Sequence, residues 1–384
     1  MEKYLFGFGC MRLPLLDKED NTSFDYPLIE KLFDAYLQAG FTYFDTAYTY
    51  HGYHAEEAMR KALVERHPRD SFELATKFPL RDFKDESDLE VIFDRQLSNC
   101  GVEYFDYYLL HNIGANVYSK AEKYGVFDFV KRKKAEGKIR HLGFSFHDSP
   151  AMLEDILSKY GDGFDFVQLQ INYLDWNNPI VQSRRCLEVA NEFKKPVFVM
   201  EPCKGGTLAN LPKEAEDLYH AYNPEASNAS WAFRFAASQE GVVRVLSGMN
   251  SLGQLTDNIK TFKNFIPLSS EELDLIKKGR AIIEKKIPIG CTACGYCLHG
   301  CPKHIAIPKY FSLYNNAALV TGGFSSQFVY YNNLSLSHGK ASECIGCRQC
   351  ERACPQHLEI TEWLKKVADK FENNSFMPSG LIKK

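Results

Sequence analysis

YFDYYLL, residues 104–110, holds seven residues with a single charge and no alternation of apolar with polar. A continuous apolar run this short is the pattern of a strand covered on both faces, and such strands belong to parallel sheets flanked by helices. Working outward from its core at 106–110, comparable runs rich in Phe, Tyr, Val and Leu occur at 5–9, 43–46, 73–77, 140–145, 166–170, 197–200 and 243–247. Amphipathic segments such as 86–99, 119–136 and 225–239 lie between them. Eight strands, each followed by a helix, over roughly 250 residues is the count of a (β/α)8 TIM barrel. The rival, a doubly wound open sheet, would carry G-x-G-x-x-G after its first strand, and this chain does not. The stretch 269–285, SSEELDLIKKGRAIIEK, starts with a serine cap and has helical apolar spacing, which suits a last barrel helix or a connector. Pro288 and Gly290 then break the chain. The expected division is a barrel over 1–285 and a second domain over 286–384.

Size and charge narrow the function. The chain has 384 residues, which suits one large domain and one small one. A net charge of −3 argues against a general nucleic-acid binder. No apolar run reaches the ~18 residues of a membrane span. The opening MEKYLFGFGCMRL reads as mature protein rather than a signal peptide. Of twelve cysteines, four (Cys10, Cys100, Cys186, Cys203) are scattered and eight fall in two tight runs. Tight runs in a chain without a secretion signal point to metal in a reducing compartment, here the cytoplasm.

The runs are Cys291-x2-Cys294-x2-Cys297-x3-Cys301-Pro302 and Cys344-x2-Cys347-x2-Cys350-x3-Cys354-Pro355. Both have the ferredoxin spacing C-x2-C-x2-C-x3-C-P. Two-residue gaps let three thiolates of one loop face one cubane, while the fourth cysteine lies beyond reach and serves the other cluster. The prediction is two [4Fe–4S] clusters, one on Cys291, Cys294, Cys297 and Cys354 and the other on Cys344, Cys347, Cys350 and Cys301. Structural zinc is the plain alternative, but zinc needs only four ligands. The long gap from Cys301 to Cys344, and the amphipathic TEWLKKVADKF at 361–371, resemble the α-helical ferredoxin modules of multi-subunit oxidoreductases. Crossed ligation requires 286–370 to fold as one unit.

Four chemically capable residues fall at or just after the ends of predicted strands: Asp45 and Tyr50 in FDTAYTY, Lys77 in ELATKFP and His111 in YYLLHN. In a TIM barrel these ends converge on the catalytic mouth. Singly, each has a bland explanation: the chain has 21 tyrosines, and a lone histidine after a strand is more often structural. Together they form a coherent acid for reducing a carbonyl.

Residues 1–265 resemble the aldo-keto reductase family. The matching pieces are GFGCMRLP (7–14), FDTAYTYHG (44–52), ATKFP (75–79), DYYLLHN (106–112), GKIRHLGFS (137–145), VQLQINY (167–173) and SGMNSLGQLTDNI (247–259). With the cysteine tail, the chain resembles that family's ferredoxin-fused branch. The resemblance implies that Tyr50 protonates the carbonyl oxygen of a small-molecule substrate. Lys77 would favour the phenolate and lower its pKa from about 10, Asp45 would hold Lys77, and His111 would orient the substrate oxygen. Ser145, Gln170 and Asn258 match positions that hold nicotinamide carboxamide or adenine, and Ser247, Gly248, Asn250 and Gln254 fall in the cofactor loop. Phe146 stands where the family usually has Asn, and Met200 where it often has a stacking Tyr. Asn250, Ser251 and Gln254 replace the cations that usually mark NADP over NAD. Lys204, Gly205 and Gly206 follow the seventh strand, where a glycine loop can approach a phosphate or form an ordinary turn.

Clusters move single electrons and nicotinamide moves a hydride, so a wire between them asks for a mediator such as FMN. Three readings follow. The first is an NAD(P)H-dependent carbonyl reductase whose clusters serve assembly, sensing or an outside electron partner. The second is a reductase with a flavin in the mouth, fed through the clusters by ferredoxin or another carrier. The third is a non-enzymatic redox-sensing or docking subunit. Substrate lining is expected from loop aromatics such as Tyr48, Tyr53, Phe78 and Trp176.

Overall fold

Residues 5–17, 20–291, 293–298, 300–319, 325–354 and 356–373 are described by a computed structural model of the chain. Pro355 of the second cysteine motif, the first four residues of the opening stretch and the end of the second domain from 374 lie outside them. Eight parallel strands close into a barrel in chain order: β1 (Phe6–Gly9), β2 (Tyr43–Asp45), β3 (Glu73–Phe78), β4 (Phe105–Ile113), β5 (Ile139–Phe146), β6 (Phe166–Gln170), β7 (Val197–Met200) and β8 (Val242–Gly248), with β8 pairing back onto β1. The chain is a TIM barrel with a helical C-terminal region. The apolar runs form strands because both faces are covered. Tyr43, Ala75, Leu109, Phe166, Phe198 and Leu246 fill the barrel interior, while Phe8, Phe44, Leu74, Tyr108 and Phe144 pack outward under the helices.

Three departures from the expected elements have local causes. β4 runs past Leu110 to Ile113, with a register shift between those two residues and Asn112 in a left-handed conformation (φ 54). Such irregularities re-aim side chains next to active sites, and His111 sits inside this one. The single helix expected over 119–136 is two, Tyr118–Lys123 and Val126–Ala135, divided at Gly125, whose φ of 67 suits a residue without a Cβ. The helix expected from 225 starts at Asn228, where the Ser227 side chain accepts from the Ser230 amide. The serine cap at 269 is a full capping box with Glu272, opening the helix Ser270–Glu284.

Beyond Ile289 a second core gathers around Ile305, Tyr310, Phe311, Tyr331, Leu364, Val367 and Phe371. Its helices are Ile307–Ala318, Gln327–Leu334 and Ile360–Phe371. Ile180 and Val181, from the loop after β6, belong to this second core, so the cysteine-bearing part is seated on the barrel's C-terminal face. Among the described residues, no helix is long and apolar enough to cross a membrane.

Candidate active site and cluster-binding cavities

At the barrel mouth the Lys77 ammonium is the hub. Its Nζ lies 2.5 Å from Asp45 Oδ1, 2.7 Å from the Thr46 carbonyl and 3.2 Å from the Tyr50 hydroxyl. Lys77 and Asp45 are both buried. The carboxylate is held from its other side by Gln168 Nε2 at 3.0 Å and the Tyr43 hydroxyl at 3.2 Å. Neither was singled out in the sequence, yet both are inward-facing strand residues at the barrel centre. The Tyr50 ring meets the His111 ring edge-on, with centroids 5.9 Å apart. The four residues expected to act together are therefore brought together.

Their proton affinities differ in part from the expectation. Burial raises the Tyr50 pKa, the Lys77 ammonium pulls it back, and the net is above the ordinary phenol value. The phenol stays protonated and available as a donor. Burial works against the Lys77 ammonium too, but the attraction of Asp45 and the hydrogen bonds outweigh it, and its pKa is raised. Burial, with Lys77, His147 and Arg81 nearby, depresses His111 well below the usual imidazole value. His111 is a neutral imidazole with one N–H to offer.

On the opposite side of the mouth, the expected cofactor residues divide. Gln170 donates to Asp175 Oδ2 at 2.7 Å, and its side chain, with a buried Oε1, also favours the His147 imidazolium against burial. Ser145 Oγ accepts from the Asn112 amide at 2.8 Å. Asn258 Nδ2 donates to Ser247 Oγ at 3.0 Å. Ser251 caps the helix Leu252–Lys263, and Gln254 Oε1 accepts from the Asn250 amide at 2.9 Å. A side chain at Gly248 would lie 3.8 Å from Arg12 Nη1, so a cation from the β1 end stands beside this loop.

Lys204 does not supply a free cation. Its Nζ is buried 2.5 Å from Asp175 Oδ1, in a carboxylate site shared with Gln170 and Asn172. The 204–206 turn thus lacks the charge that a flavin phosphate would need, and the residues there do not fit that group. Phe78 lies fully buried in the core beside Phe83 and Phe129, and so does not line a substrate site, whereas Trp176 is half-buried and packs edge-on against Phe235. Tyr48 accepts from Arg95, and Tyr53 donates to Asp82.

In the second domain the cysteines ring two cavities. Cys291, Cys294, Cys297 and Cys354 line one, with Ile307, Phe311 and Ile360. Cys301, Cys344, Cys347 and Cys350 line the other, with Ile305, Ile307 and Leu364. These are the two crossed sets expected from the spacing. The runs also match in backbone. Ala293 and Gly346, Gly295 and Arg348, and His304 and His357 are all left-handed, at equivalent places. Each run leads into a twelve-residue helix, Ile307–Ala318 and Ile360–Phe371. Among the described residues, no three His, Cys, Asp or Glu side chains gather closely enough to hold a single metal ion.

The second domain also reaches over the mouth. Asn333 Nδ2 donates to the His147 carbonyl at 3.1 Å, and Tyr330 meets the His147 ring edge-on. Ser326 donates to Glu201 Oε2 at 3.2 Å, Thr207 to the Leu319 carbonyl at 2.8 Å, and Asn178 to Ser312 at 3.2 Å. His147, Asn178, Glu201 and Thr207 follow β5, β6 and β7.

The family model described as aldo/keto reductase matches residues 6–280, and that of a 4Fe-4S dicluster domain matches 290–359. An aldo-keto reductase from Klebsiella pneumoniae, solved in complex with NADPH, is similar over 71% of this chain and 90% of its own, with 21% identity and a TM-score of 0.56. The holo form of an aldo-keto reductase from Bacillus halodurans covers 72% and 91%, with 22% identity and a TM-score of 0.57. At these identities the likeness is one of fold. Among curated proteins, acetyl-CoA decarbonylase/synthase complex subunit alpha 1 of Methanosarcina acetivorans is 31% identical over 94 residues, 23% of this chain and 10% of that protein. The 4-dihydromethyl-trisporate dehydrogenase of Mucor mucedo is 33% identical over 110 residues, 27% of this chain and 30% of that protein. The match thus spans about a tenth of the first relative's length and under a third of the second's.

Proposed function

The chain belongs to the aldo/keto reductase family, and from that premise we propose that it reduces the carbonyl of a small molecule to an alcohol, with Tyr50 as general acid and NADPH as hydride donor. The observation that carries this reading is the Lys77 ammonium, fixed by Asp45 and touching the Tyr50 hydroxyl. Tyr50 gives its proton to the carbonyl oxygen as negative charge develops there. Lys77 stabilises the phenolate left behind, and Asp45 keeps the ammonium charged and aimed. Neutral His111 donates one hydrogen bond to the same oxygen and orients it.

The buried amide of Gln170, together with the Ser145 hydroxyl, suits a nicotinamide carboxamide. Arg12, Ser247, Gly248, Asn250, Gln254 and Asn258 suit the adenine and phosphate end. Bound there, nicotinamide supplies the hydride. The two cysteine sets hold one [4Fe–4S] cluster each, crossed between runs, and exchange single electrons with a ferredoxin-like or other outside carrier. Cys294 is exposed and Tyr296 beside it is 61% exposed, which favours such contact at the surface. The domains divide at 285/286.

Anaerobically purified protein should carry about eight irons per chain, and zinc in their place would reject the clusters. NADPH should turn over simple aldehydes, and Tyr50→Phe should lower that rate ~10²–10⁴-fold. Unchanged turnover would remove Tyr50 from the mechanism.

A further inference from the structure

Arg81 lies in the turn that follows β3, on the same mouth as Lys77. Its Nε and Nη2 are buried and meet no hydrogen-bond partner. A buried guanidinium without a counter-charge is costly and ordinarily calls for a carboxylate or phosphate. Among the described residues no carboxylate forms an ion pair with it. The acid that bears on it, Asp82, is its neighbour in the chain and accepts from the Tyr53 hydroxyl at 3.3 Å. Burial raises the Asp82 pKa against the pull of Tyr53, Arg81 and Lys120, so this carboxyl is shared among three neighbours.

Two observations locate the charge. Arg81 is close enough to help depress both His111 and His147, beyond what their burial does. Its charge is thus felt at the imidazole that orients the carbonyl. It also rises from β3, across the barrel from β7 and β8, where the cofactor's phosphate end is expected. The cofactor and Arg81 thus occupy opposite sides. Of the other charges at the mouth, Lys77 and Asp45 neutralise each other, Lys204 and Asp175 do the same, and Glu201 is engaged by Ser326. Arg12, also without an ion pair, bears on Glu201 from the β1 end, which leaves Arg81 as the cation of the β3 side that forms no ion pair among the described residues.

The two unpartnered atoms have a shape. Nε and Nη2 lie along one edge of the guanidinium, with their N–H bonds parallel, and that edge matches the two oxygens of a carboxylate. We propose that Arg81 binds the carboxylate of the substrate, so that the carbonyl presented to Tyr50 and His111 belongs to an oxo acid or a carboxylated aldehyde. This rests on the reductase reading of the same mouth and deepens it to a substrate class.

The test is equilibrium binding, read by calorimetry on cluster-loaded protein at neutral pH, with glyoxylate and 4-formylbenzoate against their methyl esters. The acids should bind wild-type protein at least ~10-fold more tightly than the esters, and Arg81→Gln should remove that preference while leaving ester binding unchanged. Equal binding of acid and ester, no acid binding, or a preference that survives in Arg81→Gln would each overturn the assignment. Thermal unfolding without ligand adds a second reading. Arg81→Gln should melt at or above wild type, because it removes an unpaired buried charge, whereas a purely structural arginine would cost stability when lost. Binding requires no hydride transfer. Arg81-dependent acid binding without turnover would reject the reductase reading alone, and turnover of neutral aldehydes with Arg81-independent acid binding would reject the substrate class alone.

Discussion

The barrel mouth and the cysteine domain hold their reactive groups by different means. In the barrel, side chains hold side chains: Asp45 is gripped by Lys77, Gln168 and Tyr43, each on a strand of a closed sheet. In the cysteine domain, the backbone aims the thiols from stretches of little regular structure, through paired left-handed residues such as Ala293 and Gly346. The first arrangement is complete before any ligand arrives. The second has a modest core beside two cysteine-lined cavities, where the clusters of a 4Fe-4S dicluster domain would sit. Substitutions at the mouth should therefore alter chemistry while sparing the fold, and changes at the cysteines should do the reverse.

Removing iron should give the largest effect. Chelation, or Cys297→Ala, should open residues 286–373 to hydrogen exchange while β1 to β8 stay protected, because cluster binding energy is folding energy for such a domain. Equal loss of protection in both regions would break the contrast. Next comes Lys77→Met. It should lower kcat/KM for aldehyde reduction ~10²–10⁴-fold, as Tyr50→Phe does, with far-ultraviolet dichroism unchanged. The profile of kcat/KM against pH should also show no inflection at the ordinary imidazole value, since Tyr50 titrates above its usual range and His111 well below its own.

A third prediction concerns the layer between the barrel wall and its surrounding helices. Glu56 is buried among Thr76, Gln96 and Asn99, and burial pushes its carboxyl up to about 7. A carboxyl raised in the fold stabilises while protonated, so its contribution is full below about 4.5 and fades as pH rises through about 7. Glu56→Gln should match wild type in melting temperature at pH 5 and exceed it at pH 8, by at most ~3 kcal/mol in stability. The smallest effect belongs to the cysteine loops. Ala293→Gly relieves a left-handed alanine, worth ~1 kcal/mol, and should slow cluster loss slightly.

The same contrast governs what could be read from sequence. The strands were legible because burial on both faces leaves unbroken apolar runs. The tetrad was legible because strand ends in a barrel share one mouth. The cysteine sets were legible because spacing alone decides which thiols reach one cubane. Lys204 looked available only while Asp175, twenty-nine positions away, was unseen as its partner. Gln168, Arg12 and Arg81 carry no local pattern, since their meaning comes from what they face across the mouth. The end of β4 was cut short in prediction because His111 and Asn112 break the apolar run that marks the strand.

The polar contacts made by Ser312, Leu319, Ser326 and Asn333 with the barrel all fall between Cys301 and Cys344. That span leaves the first cysteine run, touches the mouth, and returns to the second. With the crossed clusters proposed above, it would be an arch with both feet set in the same pair of clusters. A protease that cuts the arch once would leave two halves still tied through iron, whereas oxidation that dissolves the clusters would free both feet together. On that reading the shape of the mouth would depend on the clusters through a stretch of chain that carries no cysteine.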